Sequence, residues 1–130
     1  MPTILKKVLL AEDDPDIQKV AKMSLKFAGV TDVLVVENGE ECLALAAREK
    51  PDVILLDVMM PKMDGYEACR RLKDNAATKD IPVIFLTAKA QQFEVKKGMS
   101  LGACGYLTKP FNPMTLHAEI AALLDQAQKP

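Results

Sequence analysis

The sequence has no surplus of positive charge: 17 Lys and Arg stand against 18 Asp and Glu, a net charge of −1 with a pI near 5.8. Non-specific nucleic-acid binding is driven by counterion release to clustered cations, so direct contact with nucleic acid is not expected of this chain alone. Long apolar runs are missing too. Stretches such as Val53–Leu56 and Val83–Leu86 fall far short of the ~20 residues a membrane helix needs, so no membrane association is expected. Met1–Lys7 carries no hydrophobic core of the kind a secretion signal has. Cysteine is scarce and unpaired: Cys42, Cys69 and Cys104 are odd in number, widely spaced and without a C-x-x-C pair. This pattern excludes a disulfide frame and a zinc site, and it fits the reduced thiols of a cytoplasmic protein. Each cysteine is expected to be a small buried apolar side chain. No glycine-rich loop follows the first strand-like run, which argues against a flavin or nucleotide site.

What is present reads as one compact domain over residues 1–130, with an ordered core over about residues 5–125 and loose ends at Met1–Lys6 and Gln126–Pro130. Hydrophobic residues make up 49% and charged residues 27%, enough core for a folded domain and too little charge for a disordered one. Short branched runs at Lys7–Ala11, Val33–Val36, Val53–Leu56, Val83–Leu86 and Gly105–Leu107 predict five strands. Their continuity predicts a sheet covered on both faces, hence parallel. Helical patterns lie between them. Ile17, Val20, Ala21, Ser24, Leu25 and Ala28 share one helix face that Gly29 can terminate. Gly39–Arg48 and Gly65–Lys73 read as the next two helices, with Asp64 and Gly65 turning the chain into the latter. Gln91–Gly102 is the weakest helix and the element expected to move, because Gly98 and Gly102 interrupt it. Asn112 and Pro113 start a last helix whose buried stripe is Leu116, Ile120, Leu123, Leu124 and Ala127.

Regular β-α alternation implies a doubly wound α/β sheet with function at the carboxyl ends of its strands. Those ends gather a particular set of polar residues. Glu12, Asp13 and Asp14 follow the first strand, Asp57 the third, Thr87 the fourth, and the fifth runs into Lys109. Crowded carboxylates raise one another's pKa unless cations intervene, and one lysine does not balance them. A hard divalent cation would, and ligation by carboxylates, a carbonyl and waters is the habit of Mg²⁺. With the metal in place, a carboxylate can attack a phosphoryl group while the lysine and the Thr87 hydroxyl stabilise the transferred oxygens.

The segments VLLAEDDPDI, VILLDVMMPKMDG, VIFLTAKA and GYLTKPF resemble, in order and spacing, the receiver domain of bacterial two-component response regulators. The resemblance covers about the whole chain. It implies a flavodoxin-like fold with strand order 2-1-3-4-5 and five helices. It implies Asp57 as phospho-acceptor, Lys109 as phosphoryl-binding cation, Thr87 as switch hydroxyl and Tyr106 as the aromatic that moves with it. Mg²⁺ would be held by Asp57, Asp13, Glu12 through a water, and the Met59 carbonyl, and the Lys109–Pro110 bond would be cis. The implied partners are a sensor histidine kinase or phosphotransfer protein and a downstream protein or output domain, with a phosphorylation-dependent dimer left open. Asp14 has no implied role beyond that of a solvated acid. His117, the single histidine, is expected as an exposed helix residue rather than a phosphocarrier.

Two rival readings share parts of this pattern. A phosphohydrolase of the haloacid dehalogenase type also uses a strand-end aspartate, but the triplet Asp57, Val58, Met59 lacks its second acid. A pseudo-receiver scaffold would be motivated by a missing catalytic residue, and none is missing. The positions two beyond Asp57 and Thr87 hold Met59 and Lys89, neither of which can accept a proton from an attacking water, so a long-lived phosphoryl group is expected. The output face is expected on the Gln91–Gly102 helix, the strand around Tyr106 and the last helix.

Overall fold

The computed structural model describes residues 5–88 and 92–127, the side chains of residues 92–94 apart. Five strands, β1 (Lys7–Ala11), β2 (Asp32–Val36), β3 (Val53–Asp57), β4 (Val83–Thr87) and β5 (Gly105–Thr108), alternate with five helices. These are α1 (Pro15–Phe27), α2 (Gly39–Glu49), α3 (Gly65–Lys73), α4 (Gln92–Ser100) and α5 (Leu116–Ala127). The sheet is wholly parallel, in the order β2-β1-β3-β4-β5. Strand side chains alternate between two cores, as a period of two requires. Val8, Leu10, Val53, Leu55, Ile84 and Leu86 pack under α1 and α5, while Leu9, Ile54, Leu56, Val83 and Phe85 pack under α2 and α3. With both faces covered, the strands tolerate no polar residue until they reach the rim.

Caps set where the helices begin. Asp14 accepts from the Asp16 and Ile17 N–H groups ahead of Pro15, Asn38 accepts from Glu41 N–H, and Asp64 accepts from Glu67 N–H. Asp14 is therefore a helix cap rather than a bystander acid, a role written in the Asp-Pro pair at the start of an amphipathic run. Asn112 caps a turn instead of α5 itself: its Oδ1 accepts from Met114 N–H at 2.9 Å, and the helix proper starts at Leu116. Ala127, expected in the buried stripe, is exposed at the helix end.

Of the loose end expected at Met1–Lys6, residues 1–4 lie outside the described residues, and the remainder is tied down. Leu5 is buried, and the Lys6 N–H donates to Asp52 Oδ2 at 2.8 Å. At the other end α5 continues through Gln126 and Ala127. Gly98, which costs α4 helix propensity, is required by packing: a Cβ there would lie 2.8 Å from Phe85 Cδ2. A glycine lets α4 sit on the aromatic core beside Tyr66, whose ring centroid is 5.2 Å from that of Phe85.

Cys42 and Cys69 are buried and Cys104 is half-buried. Burial pushes the Cys42 thiol up to about 12 and the Cys69 thiol up to about 11, and raises that of Cys104. Thiolate is the reactive form, so at about pH 8.5 native Cys42 and Cys69 should resist iodoacetamide while all three react in denaturant. Peptide mapping reads the result, and native alkylation of Cys42 at the denatured rate would refute it. Folding holds these thiols neutral, so stability should fall as pH climbs above their ordinary 9.0, where the unfolded chain ionises first.

Candidate functional site

The register brings the strand ends to one edge: Ala11 lies beside Leu56, Asp57 beside Leu86, and Thr87 beside Thr108. Glu12 is the residue after β1 and its N–H still bonds the Val36 carbonyl at 3.0 Å, which fixes its backbone to the sheet. Its side chain is fully buried, and Asp57, the last residue of β3, is only 3% exposed. Two carboxylates thus leave water within one site.

Lys109 reaches both. Its Nζ donates to Glu12 Oε1 at 2.9 Å and to Asp57 Oδ1 at 3.1 Å. The Lys109 N–H donates to the Thr87 carbonyl at 2.8 Å, which anchors the lysine to β4, and the Lys109–Pro110 bond is cis. Burial raises the Glu12 pKa, and its approach to Asp57 raises it further against the opposing effect of Lys109. For Lys109 burial alone would lower the pKa, but the two carboxylates outweigh it and hold the ammonium charged. Asp57 Oδ1 also accepts from the Met59 N–H at 3.3 Å, so the loop after β3 is folded back onto the carboxylate.

Asp13 is exposed beside this pair, and ligand oxygens of Glu12, Asp13 and Asp57 all lie within 4.8 Å of one another. Among the described residues this donor set is carboxylate oxygens, two of them from buried acids held by the Lys109 ammonium, and it fits a hard divalent cation.

Gln18, which no sequence motif singles out, donates from Nε2 to the Glu12 carbonyl at 2.5 Å and ties α1 to the acid loop. Its signal was faint, since one glutamine on a helix has no pattern. Gly65 holds the opposite wall: its N–H donates to the Val58 carbonyl at 2.9 Å, and a Cβ would meet the Asp57 carbonyl oxygen at 2.3 Å. The first turn of α3 thereby lies directly on the backbone of Asp57.

Thr87 and Tyr106 are half-buried and line a common cleft with Tyr66, Phe85, Gly98 and Met99. Lys97 Nζ covers the Tyr66 ring at 4.5 Å. His117 is away from the acids, half-buried in an apolar groove with Val20, Phe27 and Met114, and so less exposed than its helix position suggested. Lys89 lies outside the described residues. No helix among the described residues is long and apolar enough to cross a membrane.

Comparison with known proteins bears on this geometry. The family model of the response regulator receiver domain matches residues 8–121. The alkaline phosphatase synthesis transcriptional regulatory protein PhoP of Bacillus subtilis (strain 168) is 40% identical over 123 residues, covering 95% of this chain and 50% of its own length. The chain spans about half the length of the curated relatives it matches. Among solved structures, the chemotaxis response regulator CheY4 of Vibrio cholerae aligns with a TM-score of 0.85 and 33% identity, covering 92% of this chain and 99% of its own. The receiver domain of the sensor histidine kinase PA1611 from Pseudomonas aeruginosa PAO1, solved with a magnesium ion in its active site cleft, aligns at 0.82 with 31% identity over 97% of this chain and 100% of its own. A buried aspartate at the end of the central strand, bridged to a second acid by a lysine, is thus set in a fold and sequence shared along nearly the whole chain, which belongs to the response regulator receiver domain family.

Proposed function

We propose that this chain is a phosphorylation-dependent signalling switch in which Asp57 accepts a phosphoryl group from the phosphohistidine of a sensor kinase or phosphotransfer protein. One observation carries the reading: buried Asp57 and Glu12 share the ammonium of Lys109, with Asp13 at the mouth. Such a site is poised to receive charge rather than to turn over a substrate.

The Lys109 ammonium and the Met59 N–H hold Asp57 Oδ1, which leaves Oδ2 to attack phosphorus. A bond forms between that oxygen and phosphorus, the bond from phosphorus to the donor imidazole breaks, and its electron pair stays on the imidazole nitrogen. Lys109 then follows the charge to a phosphoryl oxygen. The carboxylates of Glu12, Asp13 and Asp57 and the Met59 carbonyl would hold Mg²⁺, which when bound offsets the acidic excess and polarises the phosphoryl oxygens. The Thr87 hydroxyl turns toward the new phosphoryl group, and Tyr106 fills the space it leaves in the shared cleft.

On this reading the chain catalyses only its own phosphotransfer and dephosphorylation and works in the cytoplasm. α4, β5 and α5 form the output face, and residues 1–130 act as one receiver unit. PhoP is named a transcriptional regulatory protein and is about twice as long as the match, so an output domain that binds DNA is a natural partner.

Acetyl phosphate, a small donor, tests the reading without the cognate kinase. Intact mass should show the gain of one phosphoryl group per chain in Mg²⁺ and none in excess chelator. Equal labelling in both conditions would rule out the metal-dependent site, and no labelling in Mg²⁺ would rule out the switch.

A further inference from the structure

The edge that presents Asp57 also carries a thioether in open water. Met59 is 77% exposed, while its N–H donates to Asp57 Oδ1 at 3.3 Å. Its backbone is therefore tied to the carboxylate, and its side chain leaves from that point into solvent. Met23, Met99 and Met114 are exposed as well, at 65%, 46% and 88%, but they stand on α1, on α4 and ahead of α5. Met63 is buried and Met60 half-buried. Among the described residues, Met59 is the exposed methionine bonded to the acid site.

We propose that Met59 is an oxidation site that sets the lifetime of the phosphoryl group: conversion to methionine sulfoxide by a peroxide shortens the life of phosphorylated Asp57. The inference rests on the reading of Asp57 as acceptor. In the oxidation the Met59 sulfur gains one oxygen atom and loses two electrons, and the peroxide O–O bond breaks to give water from hydrogen peroxide. The chemical change at the site is simple. A thioether has negligible power to accept a hydrogen bond, whereas a sulfoxide oxygen is a strong acceptor on the same flexible stem.

Loss of the phosphoryl group requires water to attack phosphorus in line. The water oxygen bonds to phosphorus, the bond from phosphorus to the Asp57 oxygen breaks, and the carboxylate keeps the electron pair. One water proton passes to bulk solvent and inorganic phosphate leaves. A sulfoxide beside Asp57 can accept a hydrogen bond from that water and hold it in position, which the thioether cannot do. The expected gain is about threefold to tenfold in decay rate, the size of one hydrogen bond made in the transition state.

The test uses the whole chain and hydrogen peroxide as oxidant. Wild type and Met59→Leu are each treated until peptide mapping shows the exposed methionines oxidised, then labelled with acetyl phosphate. After donor removal, the decay of phosphorylated protein is followed by intact mass, each protein beside its own untreated form. Treated wild type should decay faster, and joint action of the two methionine sulfoxide reductases, one per epimer, should restore the slow decay. Met59→Leu should decay alike with and without treatment, although Met23, Met99 and Met114 are oxidised in it. Met59→Gln, which carries an acceptor oxygen without any oxidation, should decay faster than Met59→Leu. An equal acceleration in Met59→Leu, or unchanged decay in wild type with Met59 fully oxidised, overturns the inference alone. Untreated wild type that takes no label overturns the acceptor reading and this inference with it.

Discussion

Asp57→Asn should take no label from acetyl phosphate while keeping its fold. A carboxamide cannot form the acyl phosphate, so the loss is complete rather than partial. The fold should survive because the substitution is nearly isosteric and leaves the Lys109–Glu12 pair, at 2.9 Å, one charge against one. Removal of the second buried carboxylate relieves repulsion at the site, so thermal unfolding should occur at or above the wild-type temperature. Two readings decide the matter: intact mass after incubation with donor and Mg²⁺, and the melting curve of the unlabelled protein. Wild-type labelling of Asp57→Asn would place the acceptor elsewhere and end the proposed mechanism.

Lys109→Ala should cost both chemistry and stability. Among the described residues the Lys109 ammonium is the one cation placed on both buried acids, and loss of such a preorganised charge typically slows the chemical step by ~10²–10³-fold. Glu12 and Asp57 would then be buried without their counter-ion, a change that usually costs about 3–5 kcal/mol when one partner of a buried pair is removed. Denaturant unfolding without divalent cations measures this, and Lys109→Met, which keeps the side-chain length, separates charge from packing. The deficit should depend on pH with a defined sign. Glu12 already has a raised pKa and rises further without the lysine, so its folded form binds a proton more tightly than its unfolded form. Stability of the variant is therefore greatest where Glu12 is protonated and is lost as pH rises through its folded pKa. The gap from wild type should narrow as pH falls from neutral toward the ordinary carboxylate value of 4.5. In wild type the contribution of the lysine persists below its ordinary 10.5 and is lost only as pH passes its raised value. A constant gap from neutral pH to pH 4.5 would show that Glu12 does not depend on Lys109 for its charge.

Much of this protein was legible in its residues alone. Covered parallel strands need continuous apolar runs, and amphipathic helices need a stripe every three to four residues, so all ten elements had local signatures. The polar residues that end those runs marked the edge where the acids gather, because a carboxylate such as Asp57 directly after Leu56 has no solvent-facing strand position to occupy. Helix ends were legible where a cap stood beside a turn residue, as at Asp64, and went unread where the capping side chain stood in a run of acids, as with the exposed cap Asp14.

What the sequence could not decide was distance. An apolar run stops at Leu56, Leu86 or Leu107, yet the hydrogen-bond ladder carries each strand one residue further, to Asp57, Thr87 and Thr108. That extension, with the register of four strands, places Lys109 Nζ within hydrogen-bond reach of both Glu12 and Asp57 across 97 and 52 residues of chain. Gly98 read as a fault in a helix and proved to be the clearance for the Phe85 ring, and Gln18 gave no sign that it would reach the Glu12 carbonyl. Local propensity and periodicity depend on near neighbours in the chain. The charge balance at the acid site and the fit of α4 depend on atoms that only the packed sheet brings together.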